Sequence, residues 1–140
     1  MTLVDTNVLL DVATDDPAFA DWSLAQLEAA ALRGPLLIDD VIYAELSVRY
    51  ERIEALDEFV SRAGLRREAM PTAALFLAGK AFRAYRRAGG SRTGVLPDLF
   101  IGAHAAVRGH ALLTRDRGRF ATYFPTVALI EPERAAGGAT

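Results

Sequence analysis

Residues 3–11 read LVDTNVLLD, an apolar run that is interrupted at Asp5 by a carboxylate and resumes at Val8. A surface loop would be less apolar around the charge, and an ordinary buried strand would not carry it. We therefore interpret LVD as a short strand whose last residue has a role other than packing. An acid at the end of a buried strand is a candidate functional group.

The composition predicts one globular domain without disulfides. The chain has 140 residues and is 51% hydrophobic, which is enough for one buried core. We expect a single domain over residues 1–131 and a flexible tail over residues 132–140, because PERAAGGAT offers little apolar surface to bury. The chain has no cysteine for a disulfide or a thiolate metal site, and His104 and His110 alone make a histidine-rich site an unfavoured interpretation.

Charge and hydropathy narrow the class of protein further. The net charge of -2 argues against a protein that coats nucleic acid by bulk electrostatics. The apolar runs are much shorter than the ~20 residues of a membrane span, so no membrane association is predicted. Only Met1 and Thr2 precede the first apolar residues, which leaves no charged leader, and we expect a cytoplasmic protein.

Strand-like and helix-like stretches alternate along the chain. Apolar strands are predicted at 3–5, 36–38, near 65, at 111–114 and at 126–130. Helices are predicted at 18–33, 41–50, 54–63, 72–87, 97–107 and 117–123, with the glycine-rich segment 89–94 as a loop. This alternation predicts a three-layer α/β/α domain with a mostly parallel central sheet, in the common strand order 3-2-1-4-5.

That strand order would gather four distant acids. The first and fourth strands are neighbours, so Asp5 at the end of the first strand would face Asp116, which lies two residues after the fourth. Asp98 lies in the first turn of the helix that leads into the fourth strand. Glu45 lies about one and a half turns into the helix after the second strand, at helical spacing from core-facing positions. Clustered carboxylates repel one another, and oxygen-only ligands favour Mg²⁺ or Mn²⁺.

Each acid also has a simpler interpretation. Asp5 could cap a helix that begins at Thr6, and Asp98 is a favourable first-turn acid in any helix. Asp116 could be a turn residue within TRDRG, and a lone Glu45 would most often be exposed. Asp11 is interpreted as a surface or cap residue. The functional interpretation depends on one topology that places all four acids at the same edge of the sheet.

Four ordered motifs occur along the chain: DTN at 5–7, AEL at 44–46, PDLFIGAHA at 97–105 and TRDRGRF at 114–120. Together they resemble the PIN domain, and particularly the VapC-type toxins of bacterial toxin–antitoxin pairs. The resemblance implies a metal-dependent endoribonuclease that cleaves single-stranded or loop RNA. Its catalytic acids would be Asp5, Glu45, Asp98 and Asp116, with Asp5, Asp98 and Asp116 as ligands of Mg²⁺ or Mn²⁺ and with Glu45 holding a second ion or positioning water.

The resemblance also implies partners. A cognate antitoxin would block the acidic cleft, and a homodimer is expected. Residues that could contact the substrate are Thr6, Asn7, Thr114, Arg92 and Arg115. Aromatic residues that could line the antitoxin groove, or equally belong to the core, are Phe19, Trp22, Tyr43 and Tyr50.

Other functions fit parts of the sequence. A phosphatase of the haloacid dehalogenase type would need a second aspartate where Asn7 stands. A phosphoacceptor receiver domain could use Asp39 or Asp40, although that pair follows the second strand and not the first. A histidine acid–base ribonuclease is disfavoured, because His104 falls within a helix and His110 just before a strand, and both are interpreted as structural. A non-catalytic RNA-binding or protein-interaction module on the same fold remains the alternative from another class.

Overall fold

The computed structural model describes residues 1–92, 94–116 and 118–132, with the exception of the Arg119 side chain. Thr93 of the predicted loop and Arg117 at the predicted start of a helix lie outside the described residues. The predicted tail also lies outside them from residue 133 onward. The division into a domain over 1–131 and a tail stays a prediction.

The central sheet has five strands, all parallel, in the order β3-β2-β1-β4-β5. The strands are β1 (Thr2–Val4), β2 (Leu36–Ile38), β3 (Leu65–Arg67), β4 (Ala111–Leu113) and β5 (Leu129–Ile130). Thr2 of the central strand is in register with Leu36 on one side and with Ala111 on the other. The predicted fold class and strand order are confirmed, and the switch point lies between β1 and β4.

Seven helices flank this sheet within the described part of the chain. They are α1 (Thr6–Ala13), α2 (Ala20–Arg33), α3 (Asp40–Ser47), α4 (Ile53–Arg62), α5 (Thr72–Arg87), α6 (Leu96–Arg108) and α7 (Gly118–Tyr123). None of these helices has the length and apolar character needed to cross a membrane.

Two predicted elements extend three residues beyond the observed ones at one end. The helix predicted over 41–50 ends at Ser47, where the N–H groups of Val48, Arg49 and Tyr50 each donate to the carbonyl three residues earlier. These tight turns end the helix because Val48 and Arg49 face solvent, and no apolar contact favours another α-helical turn. The strand predicted over 126–130 is reduced to β5, since the chain turns through Pro125 and Thr126 after α7.

The core explains why the central strands are uniformly apolar. Leu3, Val4, Ile38, Leu112 and Leu113 are fully buried or nearly so, as expected for strands covered by helices on both faces. Trp22, Tyr43 and Tyr50 pack against this core with part of their surface exposed. A strand covered on both faces cannot leave a charge buried without partners, so the polar residues collect where the strands end.

Two features of the helices fix the layer that contains α6. Helix α5 buries the small side chains Ala74, Ala78 and Ala81, and it packs closely against α6. Gly102 of α6 faces a buried phenylalanine, and an added Cβ would overlap the Phe124 ring. Close packing on both sides therefore fixes α6 and the acid in its first turn.

Candidate active site

Asp5 leaves β1 and caps α1 at the same time. Its Oδ1 accepts a hydrogen bond from the Thr6 N–H at 2.8 Å, and its Oδ2 accepts one from the Thr114 hydroxyl at 2.8 Å. The Asp5 N–H donates to the Leu113 carbonyl, which continues the pairing of β1 with β4 for one more residue. Asp5 is 4% exposed. The capping interpretation is thus correct, and it holds the carboxylate at the switch point.

Two further acids lie close enough to Asp5 to act on it electrostatically. Burial raises the pKa of Asp5 to about 7, against the hydrogen bonds from Thr114 and Thr6, and the charges of Asp98 and Glu45 raise it as well. Burial also raises the pKa of Glu45, and the charges of Asp98 and Asp39 act in the same direction. The structure therefore brings Asp5, Glu45 and Asp98 into one acidic cluster.

Thr6 orients two members of this cluster. Its N–H donates to Asp5, and its hydroxyl donates to Glu45 Oε1 at 2.7 Å. Glu45 is half-buried on α3, while Thr6 is buried in the first turn of α1. A single residue thus links the end of β1 to the helix that follows β2.

Asp116 lies at the exposed rim of the site. Its side chain faces solvent, while its N–H donates to the Thr114 hydroxyl at 2.9 Å. Thr114 is fully buried at the end of β4, and it joins Asp5 to the backbone of Asp116. The topology brings Asp116 next to the acidic cluster, and its role as a metal ligand stays a prediction.

The prediction that Asp11 is a surface or cap residue is wrong. Asp11 is 3% exposed and accepts hydrogen bonds from the Ser23 hydroxyl and from the Arg115 guanidinium, with Nε at 2.6 Å and Nη2 at 2.9 Å. The guanidinium also lies 4.2 Å from the centre of the Phe19 ring. A buried carboxylate needs such partners. The sequence signal was its spacing of three residues from the core-facing Val8, which places both on one side of α1.

Asn7 and Arg92, which were also predicted to contact a substrate, differ in their hydrogen-bond partners. The Asn7 side chain accepts a hydrogen bond from the Arg115 N–H at 3.3 Å, close to the bidentate contact that Arg115 makes with Asp11. Arg92 is exposed, and its backbone N–H donates to the Tyr85 hydroxyl. The roles of Thr6, Asn7, Thr114, Arg92 and Arg115 toward a substrate stay predictions.

A second polar group, which the sequence did not indicate, lies beside the acidic cluster. His104 Nδ1 lies 3.0 Å from Asp39 Oδ2, and His104 Nε2 lies 2.8 Å from Glu68 Oε1. His110 Nε2 lies 2.8 Å from the same oxygen of Glu68. Burial alone would raise the pKa of Glu68, but the hydrogen bonds from His110 and His104 outweigh it and lower this pKa to about 2. No motif linked Glu68 to the two histidines, because three separate elements bring them together.

The surroundings of Asp39 exclude the receiver-domain interpretation. Asp39 caps α3 by accepting from the Ile42 N–H at 2.9 Å, and it is fully buried against His104. An aspartate in this position cannot accept a phosphoryl group from solvent. The strand order also differs from the 2-1-3-4-5 order of that fold.

Fold and site together define a doubly wound α/β domain with an acidic cluster at its topological switch point. A family model described as "PIN domain" matches residues 2–124. The chain therefore belongs to the PIN domain family. No curated protein matches the chain in sequence.

Solved structures share this fold at low sequence identity. The crystal structure of VapBC2 from Rickettsia felis bound to a DNA fragment from their promoter is 18% identical, covers 93% of this chain and 97% of its own, and has a TM-score of 0.70. VapBC-1 from nontypeable Haemophilus influenzae is 16% identical, with coverages of 93% and 96% and a TM-score of 0.68. A toxin–antitoxin complex from Klebsiella pneumoniae is 20% identical, with coverages of 96% and 100% and a TM-score of 0.65. At these identities the likeness establishes the fold.

Proposed function

We propose that this protein is a divalent-cation-dependent endoribonuclease whose active site is formed by Asp5, Glu45, Asp98 and Asp116. The observation that carries the proposal is the burial of Asp5 beside two other acids, which raises its pKa to about 7. A neutral side chain at this position would make the folded protein more stable, so stability alone does not account for a carboxylate here. Membership of the PIN domain family supports the same conclusion, because PIN nucleases generally use divalent metals.

The donor atoms suit a hard cation. Asp5, Glu45 and Asp98 act on one another electrostatically, and their side chains offer carboxylate oxygen atoms only. Such ligands favour Mg²⁺ or Mn²⁺ over softer metals. We propose that Asp5, Asp98 and Asp116 hold the ion. Glu45, held by the Thr6 hydroxyl, would position the attacking water or hold a second ion.

Hydrogen bonds and a helix dipole of the protein itself hold the carboxylates of this site in place. Thr6 and Thr114 donate hydrogen bonds to the two oxygens of Asp5, which fix the orientation of the carboxylate before any ligand arrives. Asp98 lies in the first turn of α6, where the helix dipole favours negative charge. A bound divalent cation would polarise the scissile phosphate and activate a water for in-line attack, which leaves a 5′-phosphate and a 3′-hydroxyl on the products.

We propose single-stranded or loop RNA as the substrate. Exposed arginines at the end of α5 and in the following loop, Arg86, Arg87 and Arg92, offer positive charge for its phosphates. Arg115 is proposed to act through Asp11, since the ion pair anchors the segment that leads to Asp116 against α1.

The cleavage proposal is tested with one variant and one matched control. Asp98→Asn should lose Mg²⁺-dependent cleavage of an RNA pool while keeping the RNA affinity of the parent. Asp40→Asn is the control, because Asp40 is also a first-turn acid but is exposed on α3. Cleavage that Asp98→Asn retains, or that EDTA leaves unchanged, contradicts the proposal. RNA binding without any metal-stimulated cleavage by the parent would favour the non-catalytic RNA-binding module.

We further propose that the protein is the toxin of a toxin–antitoxin pair. The support is the shared fold with complexes such as the one from Klebsiella pneumoniae, together with an apolar groove between α1, α2 and α4. The groove is lined by Leu9, Val12, Leu24, Leu27, Phe59 and Ala63. An apolar segment of an antitoxin would fill it. The predicted homodimer is supported by the family resemblance alone, and light scattering on the purified protein tests it.

The toxin role is tested in cells. Controlled expression should arrest growth with the parent and not with Asp98→Asn, and sequencing of RNA ends should identify the target. Coexpression of the antitoxin should restore growth. Leu24→Glu, which places a charge in the groove, should abolish this rescue while RNA cleavage in vitro stays unchanged. Rescue that persists with Leu24→Glu would exclude the groove as the binding surface.

A further inference from the structure

A second cluster of potential metal ligands lies apart from the acidic cluster. It consists of Glu68, His104 and His110, whose ligand atoms lie within 4.8 Å of one another, and we refer to it as the Glu68 cluster. His104 is fully buried and His110 nearly so, while Glu68 is one-fifth exposed. His104 follows Asp98 by six positions on α6, which separates them by about 9 Å along the helix axis.

The hydrogen bonds of Asp39 fix which nitrogen of His104 faces the cluster. Asp39 Oδ1 accepts from the Ile42 N–H, and its Oδ2 lies against His104 Nδ1. An ionised aspartate only accepts hydrogen bonds, so Nδ1 carries a proton. The lone pair of a neutral His104 then lies on Nε2, 2.8 Å from Glu68 Oε1. At that distance the ring either donates a second proton, from Nε2, to Glu68 as an imidazolium, or binds a metal ion that takes the place of this proton.

We propose that the Glu68 cluster binds a divalent transition-metal ion, with Zn²⁺ the best match. Two imidazole nitrogens and one carboxylate oxygen are a ligand set that suits zinc, and three protein ligands leave a fourth position for water at the exposed side of Glu68. Asp39 would be the carboxylate that orients a metal-bound histidine through its other ring nitrogen.

The geometry requires a small adjustment. Ligand atoms that are about 2.0 Å from a tetrahedral zinc ion lie about 3.3 Å apart. The two nitrogen–oxygen distances in the cluster are both 2.8 Å. Glu68 follows the edge strand β3 and is the most exposed member, so its side chain can move by a few tenths of an ångström. The half-exposed Arg108, whose Nε lies 3.5 Å from Glu68 Oε1, can turn toward solvent.

A metal at this point would join three separate elements. Glu68 follows β3, His104 belongs to α6, and His110 leads into β4. Through Asp39 the ion would also support the start of α3, which carries Glu45. Its role would be to stabilise the helices that hold the acidic cluster, and it does not depend on the proposed nuclease activity.

Metal binding is measured on the full-length protein with Zn²⁺ and with Co²⁺ as a spectroscopic probe. The parent should retain one Zn²⁺ per chain after dialysis against excess Mg²⁺, and Co²⁺ should give visible absorption bands of a four-coordinate site. Glu68→Gln and His110→Gln should each weaken Zn²⁺ binding at least tenfold. Asp98→Asn, in the acidic cluster, and Glu51→Gln, an exposed glutamate, should leave it unchanged.

Two results of the metal-binding measurements would overturn the proposal. One is a parent protein that retains no Zn²⁺ at equimolar metal, and the other is retention that is lost in Asp98→Asn but kept in Glu68→Gln. If the histidine variant does not fold, ¹⁵N NMR of the imidazole rings in the parent replaces it. Zn²⁺ should remove the proton from Nε2 of both rings and leave the proton on Nδ1 of His104. Rings that keep their Nε2 protons in equimolar Zn²⁺ would refute the site.

Discussion

Replacing Asp5 by asparagine should stabilise the metal-free protein while it removes the proposed activity. The folded state raises the pKa of this carboxyl from its usual 3.8 to about 7, mainly because of burial. Between these two pH values the folded protein binds a proton that the unfolded chain releases. The stabilisation that comes from protonated Asp5 is therefore fully present below about pH 4, and it is lost as the pH rises through 7.

The size of the effect follows from the shift. A shift of about three units in pKa changes the free-energy difference between the protonated and the ionised carboxyl by about 4 kcal/mol. Because Asp5 is almost fully buried, solvent screens little of this cost. Asparagine has the same shape and keeps an oxygen to accept from the Thr6 N–H. At pH 8, Asp5→Asn should therefore raise the free energy of unfolding by up to about 4 kcal/mol, and at pH 4 by less than about 1 kcal/mol.

Urea unfolding in EDTA at pH 4, 6 and 8 measures the difference. Asp40→Asn is the matched control, and as an exposed acid it should change the free energy of unfolding by less than about 0.5 kcal/mol at each pH. Addition of Mg²⁺ should stabilise the parent and not Asp5→Asn. The reasoning is refuted if Asp5→Asn is less stable than the parent at pH 8, or if its gain in stability is independent of pH.

Three further predictions concern the supports of the site. Asp11→Ala removes the buried carboxylate that binds the Arg115 guanidinium. This substitution should lower the free energy of unfolding by about 3 kcal/mol in urea titrations. Gly102→Ala introduces a methyl group against a buried phenylalanine ring and should cost about 2 kcal/mol, whereas Gly79→Ala meets open space on α5 and should gain up to about 1 kcal/mol. Thr6→Val removes the hydrogen bond that lowers the pKa of Glu45, so ¹³C NMR titration of that carboxyl should show a still higher pKa.

Contrary results would be informative in each case. An Asp11→Ala variant as stable as the parent would mean that the ion pair with Arg115 contributes no net stability. Equal effects of alanine at the two glycines would show that the contact of α6 with Phe124 relaxes freely. An unchanged titration of Glu45 in Thr6→Val would exclude the threonine hydroxyl as the group that holds it.

The strand order was predictable from a few local patterns. Short apolar runs such as LLI at 36–38, separated by amphipathic segments with glycine or proline at their ends, leave little choice beyond a parallel sheet with helical crossovers. Element ends were harder to predict. Helix α3 ends at Ser47, before the predicted residue 50, because the exposure of the next residues depends on neighbours that are distant in sequence.

The edge of the sheet at which the acids lie was predictable for the same reason as the sheet. Asp5 and Asp116 follow strands that the topology makes neighbours, and Asp98 and Glu45 lie near the ends of helices whose positions the sheet dictates. These placements depend only on element order and on the direction of each chain segment. The sequence by itself therefore determined the fold class, the family and the edge at which the acids collect.

Only the tertiary structure decided which polar side chains are partners. Asp11 and Arg115 are 104 positions apart, and Glu68 lies 36 positions from His104 and 42 from His110. Local patterns such as hydrophobic periodicity carry no information about such pairs. The free energy of a buried polar group depends on whether a donor from another element reaches it, and this is fixed only when the helices pack on the sheet.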